Sequence, residues 1–192
     1  MAFNVVGIAY NLQLMRYIGE NGVSAYGIIM YVGFIFGAVF IGYNLCVSQV
    51  IAFHYGAGNR AEVHSLLRKS LILIGMSGIA MAAVAEIAAP WLSAIFVRYD
   101  QDLCALTTHA LRIYMLSFLL CGFNMFCSAW FTALGNGKVS AIAAFVRTLV
   151  FELATVFILP RFLGIDGIWS AVCVAEILAF VLTVTLIGTI RE

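Results

Sequence analysis

Charge is what this sequence has least of. Asp, Glu, Lys and Arg make up 10% of its 192 residues, against about a quarter in a soluble domain. The net charge is +1 and there is no basic run, so nothing here could neutralise a phosphate backbone and no nucleic-acid partner is expected. Catalytic signatures are missing as well. There is no H-E-x-x-H, no G-x-S-x-G and no glycine loop followed by Lys-Ser/Thr, so no enzyme is expected. The five cysteines, Cys46, Cys104, Cys121, Cys127 and Cys173, form no C-x-x-C pair and have no nearby His to complete a metal set. They read as small buried hydrophobes, and neither a metal nor a cofactor is expected. Residues 1–15 lack a basic front and a cleavage site, so no secretory leader is expected.

What is present is apolar. Hydrophobic residues make up 64% of the chain and the mean hydropathy is +1.07. A soluble surface built from this composition would leave large apolar patches in water, so the solvent for most of it is lipid. Six apolar stretches follow one another at 1–15, 23–53, 70–89, 103–134, 139–159 and 168–190. The expected fold is therefore an all-α membrane protein, a bundle of six transmembrane helices forming one unit over 1–192. The first stretch is short, since crossing ~30 Å of hydrocarbon takes roughly 20 residues. The fourth is too long for one upright crossing. Glycines and Asn59 at Tyr55-Gly56-Ala57-Gly58-Asn59, and Gly135-Asn136-Gly137, read as helix stops. Arg60–Lys69 reads as a short amphipathic helix at the membrane surface, and Pro90-Trp91 as the end of the third span.

One set of turns collects Arg60, Arg68, Lys69, Lys138 and Arg191. The other collects Arg16, Arg98 and Arg161, diluted by Glu20, Asp100, Asp102 and Asp166. That bias places the glycine-rich turns and the C-terminus in the cytoplasm. An internal echo runs through the same turns. The segment from Phe53 matches the segment from Phe131, pairing Arg60 with Lys138, Lys69 with Arg147 and Leu71 with Leu149, which suggests two helical hairpins of similar design.

The residues that point to chemistry are charges inside spans. Glu152 lies seven residues before Leu159, and Glu176 eight residues after Ile168. At 1.5 Å per residue both are roughly 10–13 Å below the same boundary, on spans joined by a short turn. An ionised carboxylate there costs at least ~2.5–3.5 kcal/mol, so it faces a wet cavity, pairs with a cation or holds a proton. Glu176, Glu152 and Glu86 are the candidates for coupling to H⁺ or Na⁺; the alternative for each is a structural hydrogen bond, and Glu86, four residues before Pro90, could simply reach the surface. Arg147 either meets a carboxylate of another helix or snorkels to the interface. Five residues from Glu152, it is about 140° round an α-helix, so these two are not expected to share a face. Asn11, Asn44, Gln49, Asn124, Arg112 and Arg147 are candidates to line a hydrated interior, although amides also serve as glue between helices.

Several pieces of the chain together resemble one family. Gln49 with Tyr55-Gly56-Ala57-Gly58-Asn59 and the basic segment after it is similar to the end of the eighth helix in the multidrug and toxic compound extrusion (MATE) family. Leu111-Arg112-Ile113-Tyr114 and Phe131-Thr132-Ala133-Leu134-Gly135-Asn136-Gly137-Lys138 resemble its tenth helix and the following turn. Arg147, Leu159-Pro160, Gly164-Ile165-Asp166-Gly167-Ile168-Trp169 and Ala175-Glu176 continue the likeness.

The resemblance implies the C-terminal lobe of a twelve-helix transporter, with a partner N-terminal lobe that this chain lacks. It also implies a multi-pass location in a bacterial plasma membrane. The implied function is secondary antiport of amphipathic, cationic small molecules against H⁺ or Na⁺, with no cofactor. The family's acidic sites vary between branches, so Glu152 and Glu176 rest on their depth alone. Two alternatives stay open: a lipid-linked glycan flippase of the same superfamily, whose cavities are more basic, and a membrane scaffold subunit that transports nothing.

Overall fold

The computed structural model describes residues 2–189, and side chains within 4–188. Met1, Ile190, Arg191 and Glu192 lie outside the described residues, and with them the charge expected at Arg191 and the last residue of the sixth expected span. The described chain is built of helices: α1 (Ala2–Tyr17), α2 (Glu20–Gly56), α3 (Arg60–Val97), α4 (Gln101–Met115), α5 (Phe118–Ala133), α6 (Gly137–Phe145), a π-helical segment (Val146–Phe151), α7 (Glu152–Ile158), α8 (Pro160–Leu163) and α9 (Ile165–Thr189). In hydrocarbon a backbone must satisfy its own hydrogen bonds, which leaves a chain this apolar little choice but helix. Among the described residues, α2, α3, the run 137–163 and α9 are each long and apolar enough to cross a bilayer. The pair α4–α5, bent by 46°, supplies a fifth crossing. At about 1.5 Å per residue α1 reaches only about 24 Å.

Helix ends are written in local chemistry. The Asn59 side chain accepts from the Glu62 N–H, Asn136 from Val139 N–H, and Asp100 from both Asp102 and Leu103 N–H, as helix N-caps do. Gly58 and Gly135 take φ of 74° and 79°, a conformation a side chain would resist. The two glycine turns use the same hydrogen bonds. Ala57, Gly58 and Asn59 N–H donate to Phe53, Tyr55 and His54 carbonyls, and Leu134, Gly135 and Asn136 N–H to Trp130, Thr132 and Phe131. The sequence echo is thus a repeated turn, but its register differs by one residue: Asn59 corresponds to Asn136, whereas matching identities pairs it with Gly137.

Three features depart from expectation. Helix α3 is continuous through the expected surface segment Arg60–Lys69 and through Pro90, which ends nothing. Proline is tolerated within a membrane helix, and this one is exposed. The fourth stretch, too long for one upright crossing, is not one straight helix but breaks at Leu116-Ser117 into two helices bent by 46°. The fifth is interrupted by the π-helical segment.

Packing gathers these helices around a core in which Tyr10, Phe40, Phe126, Phe131 and Trp169 are fully buried. Tyr10 stacks on Tyr26, ring centroids 4.8 Å apart, fastening α1 to α2. Gly122 lets α5 close on α2 and α3: a Cβ there would lie 2.7 Å from the Phe40 ring and 2.8 Å from Ile74. Helix α5 also packs against α9, which in turn meets the π-helical segment, and this junction holds the Arg147–Glu176 pair.

Candidate functional site

A cavity of about 190 Å³ lies where α2, the α4–α5 bend, the π-helical segment and α9 converge. Its polar wall is Arg147, Thr148, Glu152 and Glu176; its apolar wall includes Met30, Phe34, Tyr114 and Phe118. Each charged side chain owes its place to a local feature. A π turn bonds residues five apart, so Arg147 and Glu152 stack one above the other and both face the cavity. The α-helical expectation that they diverge fails for that reason. Glu176 comes from the buried face of α9 and is 6% exposed.

Arg147 does not snorkel. Its Nη2 donates to Glu176 Oε1 at 2.6 Å, and its Nε lies 3.1 and 3.2 Å from the two carboxylate oxygens. The remaining capacity of Glu176 is also used: Asn124 Nδ2 donates to its Oε2 at 2.6 Å and to its backbone carbonyl at 3.0 Å. Asn124 is in turn held by Thr183, whose hydroxyl donates to its Oδ1 at 2.9 Å. Arg147 Nη2 further reaches Cys121 Sγ at 3.2 Å. A buried ion pair survives only when its lone pairs and protons are satisfied like this.

Glu152 is different. Its carboxylate accepts no hydrogen bond and joins no ion pair among the described residues, although it lines the same cavity. Arg147 is the only cation in the lining and Glu176 already neutralises it. The cavity therefore presents one uncompensated carboxylate beside aromatic and thioether surface, an arrangement suited to a monovalent cation or a proton.

The other sequence candidates are placed elsewhere. Glu86 pairs with Arg112 at 3.6 Å between half-exposed side chains, away from the cavity lining. Asn11 and Gln49 are exposed and do not line this cavity. Asn44 is buried with an unpartnered Oδ1, and outside the cavity lining. Asn124 is the amide that belongs to the site, as the support of Glu176. Sequence reasoning missed Thr183, Thr148 and Cys121. Thr183 carried the faint signal of being seven residues after Glu176, two turns along one helix face; Cys121 carried none beyond its apolar surroundings. Among the described residues no three His, Cys, Asp or Glu side chains gather as a metal would need.

Comparison with known proteins places this geometry. The model of the family MatE matches residues 1–158. The chain is similar to the multidrug export protein MepA of Staphylococcus aureus (strain MSSA476), with 22% identity over 186 residues that cover 97% of this chain and 40% of the relative. Its fold is similar to a multidrug resistance MATE family transporter of the MOP superfamily solved in an outward-facing conformation, with TM-score 0.90, 22% identity and coverage of 99% of this chain and 43% of that one. An inward-facing structure of a transporter described in the same terms gives TM-score 0.89, 22% identity and coverage of 99% and 45%. The chain thus spans about 40% of the length of the curated relatives it matches, and its fold is one lobe of such a transporter.

Proposed function

Because the chain belongs to the MatE family, we propose that it is the C-terminal lobe, spanning 1–192, of a two-lobe antiporter in a bacterial plasma membrane, exporting amphipathic organic cations in exchange for H⁺ or Na⁺. The observation that carries this reading is the pairing of a closed and an open carboxylate in one cavity. Arg147 and Asn124 occupy Glu176, which leaves Glu152 to hold whatever cation enters. A site with one negative charge to offer takes the coupling ion or the organic cation, but not both. Mutually exclusive occupancy of one site is what exchange requires. A ligand shifts the balance between two conformations only by preferring one of them, and the missing N-terminal lobe would supply the other wall of the cleft.

Like folds at both stages of a transport cycle support a lobe that moves largely as a rigid body, as rocking mechanisms need. A lipid-linked glycan flippase would want free cations in the cavity to hold pyrophosphate, and the one arginine there is already paired. The test is ion-driven dye efflux by vesicles holding the complete two-lobe protein. Glu152→Gln should abolish it with expression intact. Efflux at the wild-type rate in that variant overturns the assignment, and absence of any efflux by the wild type favours a scaffold.

A further inference from the structure

A second cleft opens at the other end of α3 from the glycine turns, and it shares no lining residue with the carboxylate cavity. It has a volume of about 640 Å³ and is lined by Arg98, Gln101, Thr108, His109 and Arg112, with Pro90 at its edge and no acidic side chain in its wall. Arg98 enters no ion pair among the described residues. Arg112 meets Glu86 only at 3.6 Å, between half-exposed groups, a contact that solvent screens. His109 is held by Asp166 at 2.8 Å, and the Asp100 carboxylate is turned to the backbone N–H groups that it caps. Arg98, and Arg112 beyond its screened contact with Glu86, therefore give the wall of the cleft its positive charge.

Its setting tells what fills it. Ile87, Trp91 and Ile95 are 69%, 70% and 75% exposed and recur every fourth residue along α3, a single apolar stripe that leads up to the cleft. Tyr99, 84% exposed, stands at the rim, and tryptophan and tyrosine at such a level mark the boundary between lipid and water. Positive charge at the head of an exposed apolar stripe complements a molecule with an anionic head and hydrocarbon tails. A free phosphate would find no use for the stripe.

We propose that this cleft binds the phosphodiester head of an anionic phospholipid, with its acyl chains lying along Ile87, Trp91 and Ile95. Arg98 and Arg112 are the phosphate ligands, with Gln101 able to donate to the same oxygens. Arginines near a membrane surface attract anionic head groups electrostatically, by about 1 kcal/mol each.

Trp91 reports on the site, because the other two tryptophans, Trp130 and Trp169, are buried. The complete protein is placed in phosphatidylcholine vesicles containing a minor fraction of brominated phosphatidylglycerol or, separately, brominated phosphatidylcholine. The Trp91 signal is the difference from a Trp91→Phe variant. Brominated phosphatidylglycerol should quench it more strongly at equal mole fraction, and the preference should fall about fivefold for each of Arg98→Gln and Arg112→Gln. Both arginines are exposed, so the variants retain the fold, and undiminished quenching by brominated phosphatidylcholine verifies it. Equal quenching by the two lipids in the wild type, or a preference that survives the double variant, overturns the proposal. Reversal of the preference by millimolar inorganic phosphate overturns it too, in favour of a soluble anion.

Discussion

Arg147 and Glu176 face each other across the junction of the π-helical segment and α9, joined by a 2.6 Å contact between Nη2 and Oε1 and by two more through Nε. Because Glu176 is buried and Arg147 largely shielded, removing one charge strands the other. Arg147→Met or Glu176→Leu alone should destabilise the protein by ~3–5 kcal/mol, and the double substitution by much less, since it removes the desolvation cost of both ions. Thermal unfolding of the purified protein in detergent measures the difference. A double variant as unstable as the sum of the singles would mean that the pair has no energetic coupling.

Glu152 should behave in the opposite way. With no hydrogen bond or ion pair to lose, Glu152→Gln is expected to change stability by less than ~1 kcal/mol while abolishing ion-driven efflux. Glu176→Gln should reduce both. Measuring melting temperature and dye efflux on the same two preparations separates a ligand-holding carboxylate from a structural one. Equal losses of stability would remove the distinction drawn between them.

The support beneath Glu176 is testable separately. Asn124→Ala takes away the 2.6 Å donor to Oε2 and leaves the Thr183 hydroxyl without its acceptor. Unpairing buried polar groups costs ~1–3 kcal/mol. Thr183→Val removes one hydrogen bond further from the charge and should cost less. If Thr183→Val proves the more damaging, Asn124 is not the main support.

Much of this architecture is legible in the sequence. Turn glycines and asparagines marked the breaks at Gly58-Asn59 and Gly135-Asn136, because positive φ and side-chain capping are local demands that a short segment states outright. Glu152 and Glu176 stood out as candidates from their depth within apolar stretches, since charge in hydrocarbon is costly wherever it sits. The continuity of α3 through Pro90 was not legible, because a proline reads as a stop when the lipid that lets the helix continue is out of view. Nor was the partner of Arg147. Snorkelling and pairing are both open to a long side chain, and the choice depends on which helix lies opposite. The false register between Lys69 and Arg147 has a simpler cause: in a chain of few residue types, identities align by chance one residue away from where the helix caps align.

Close packing at α5 gives a prediction that involves no charge. A methyl group at Gly122 would lie 2.7 Å from the Phe40 ring and 2.8 Å from Ile74, so Gly122→Ala should destabilise by ~1–3 kcal/mol through overpacking. At Gly42, on α2, a Cβ meets nothing within 4 Å, and alanine there should be neutral or stabilise by ~0.5–1 kcal/mol. Unfolding midpoints of the two variants check the contrast, which inverts if the α2–α5 approach is looser than it stands here.

The π-helical segment makes the sharpest demand. A π turn is an α-helix carrying one residue too many. Here that extra residue lies between Arg147 and Glu152. Deleting Val150, an exposed member of the segment, should let the helix close as ordinary α with its two ends still in register. Arg147 and the following Glu would then stand four residues apart, on one face. Deleting Ala154, in the regular helix α7, has no such slack and must rotate everything beyond it by about 100°. The expected outcome is a folded protein for the Val150 deletion, with the Arg147–Glu176 pair intact, and a severely destabilised one for the Ala154 deletion. Thermal unfolding gives the first comparison, and the double-variant cycle on Arg147 and Glu176, repeated in the Val150 deletion, gives the second. Equal damage from the two deletions would mean that the wide turn is not what holds both charges against the cavity.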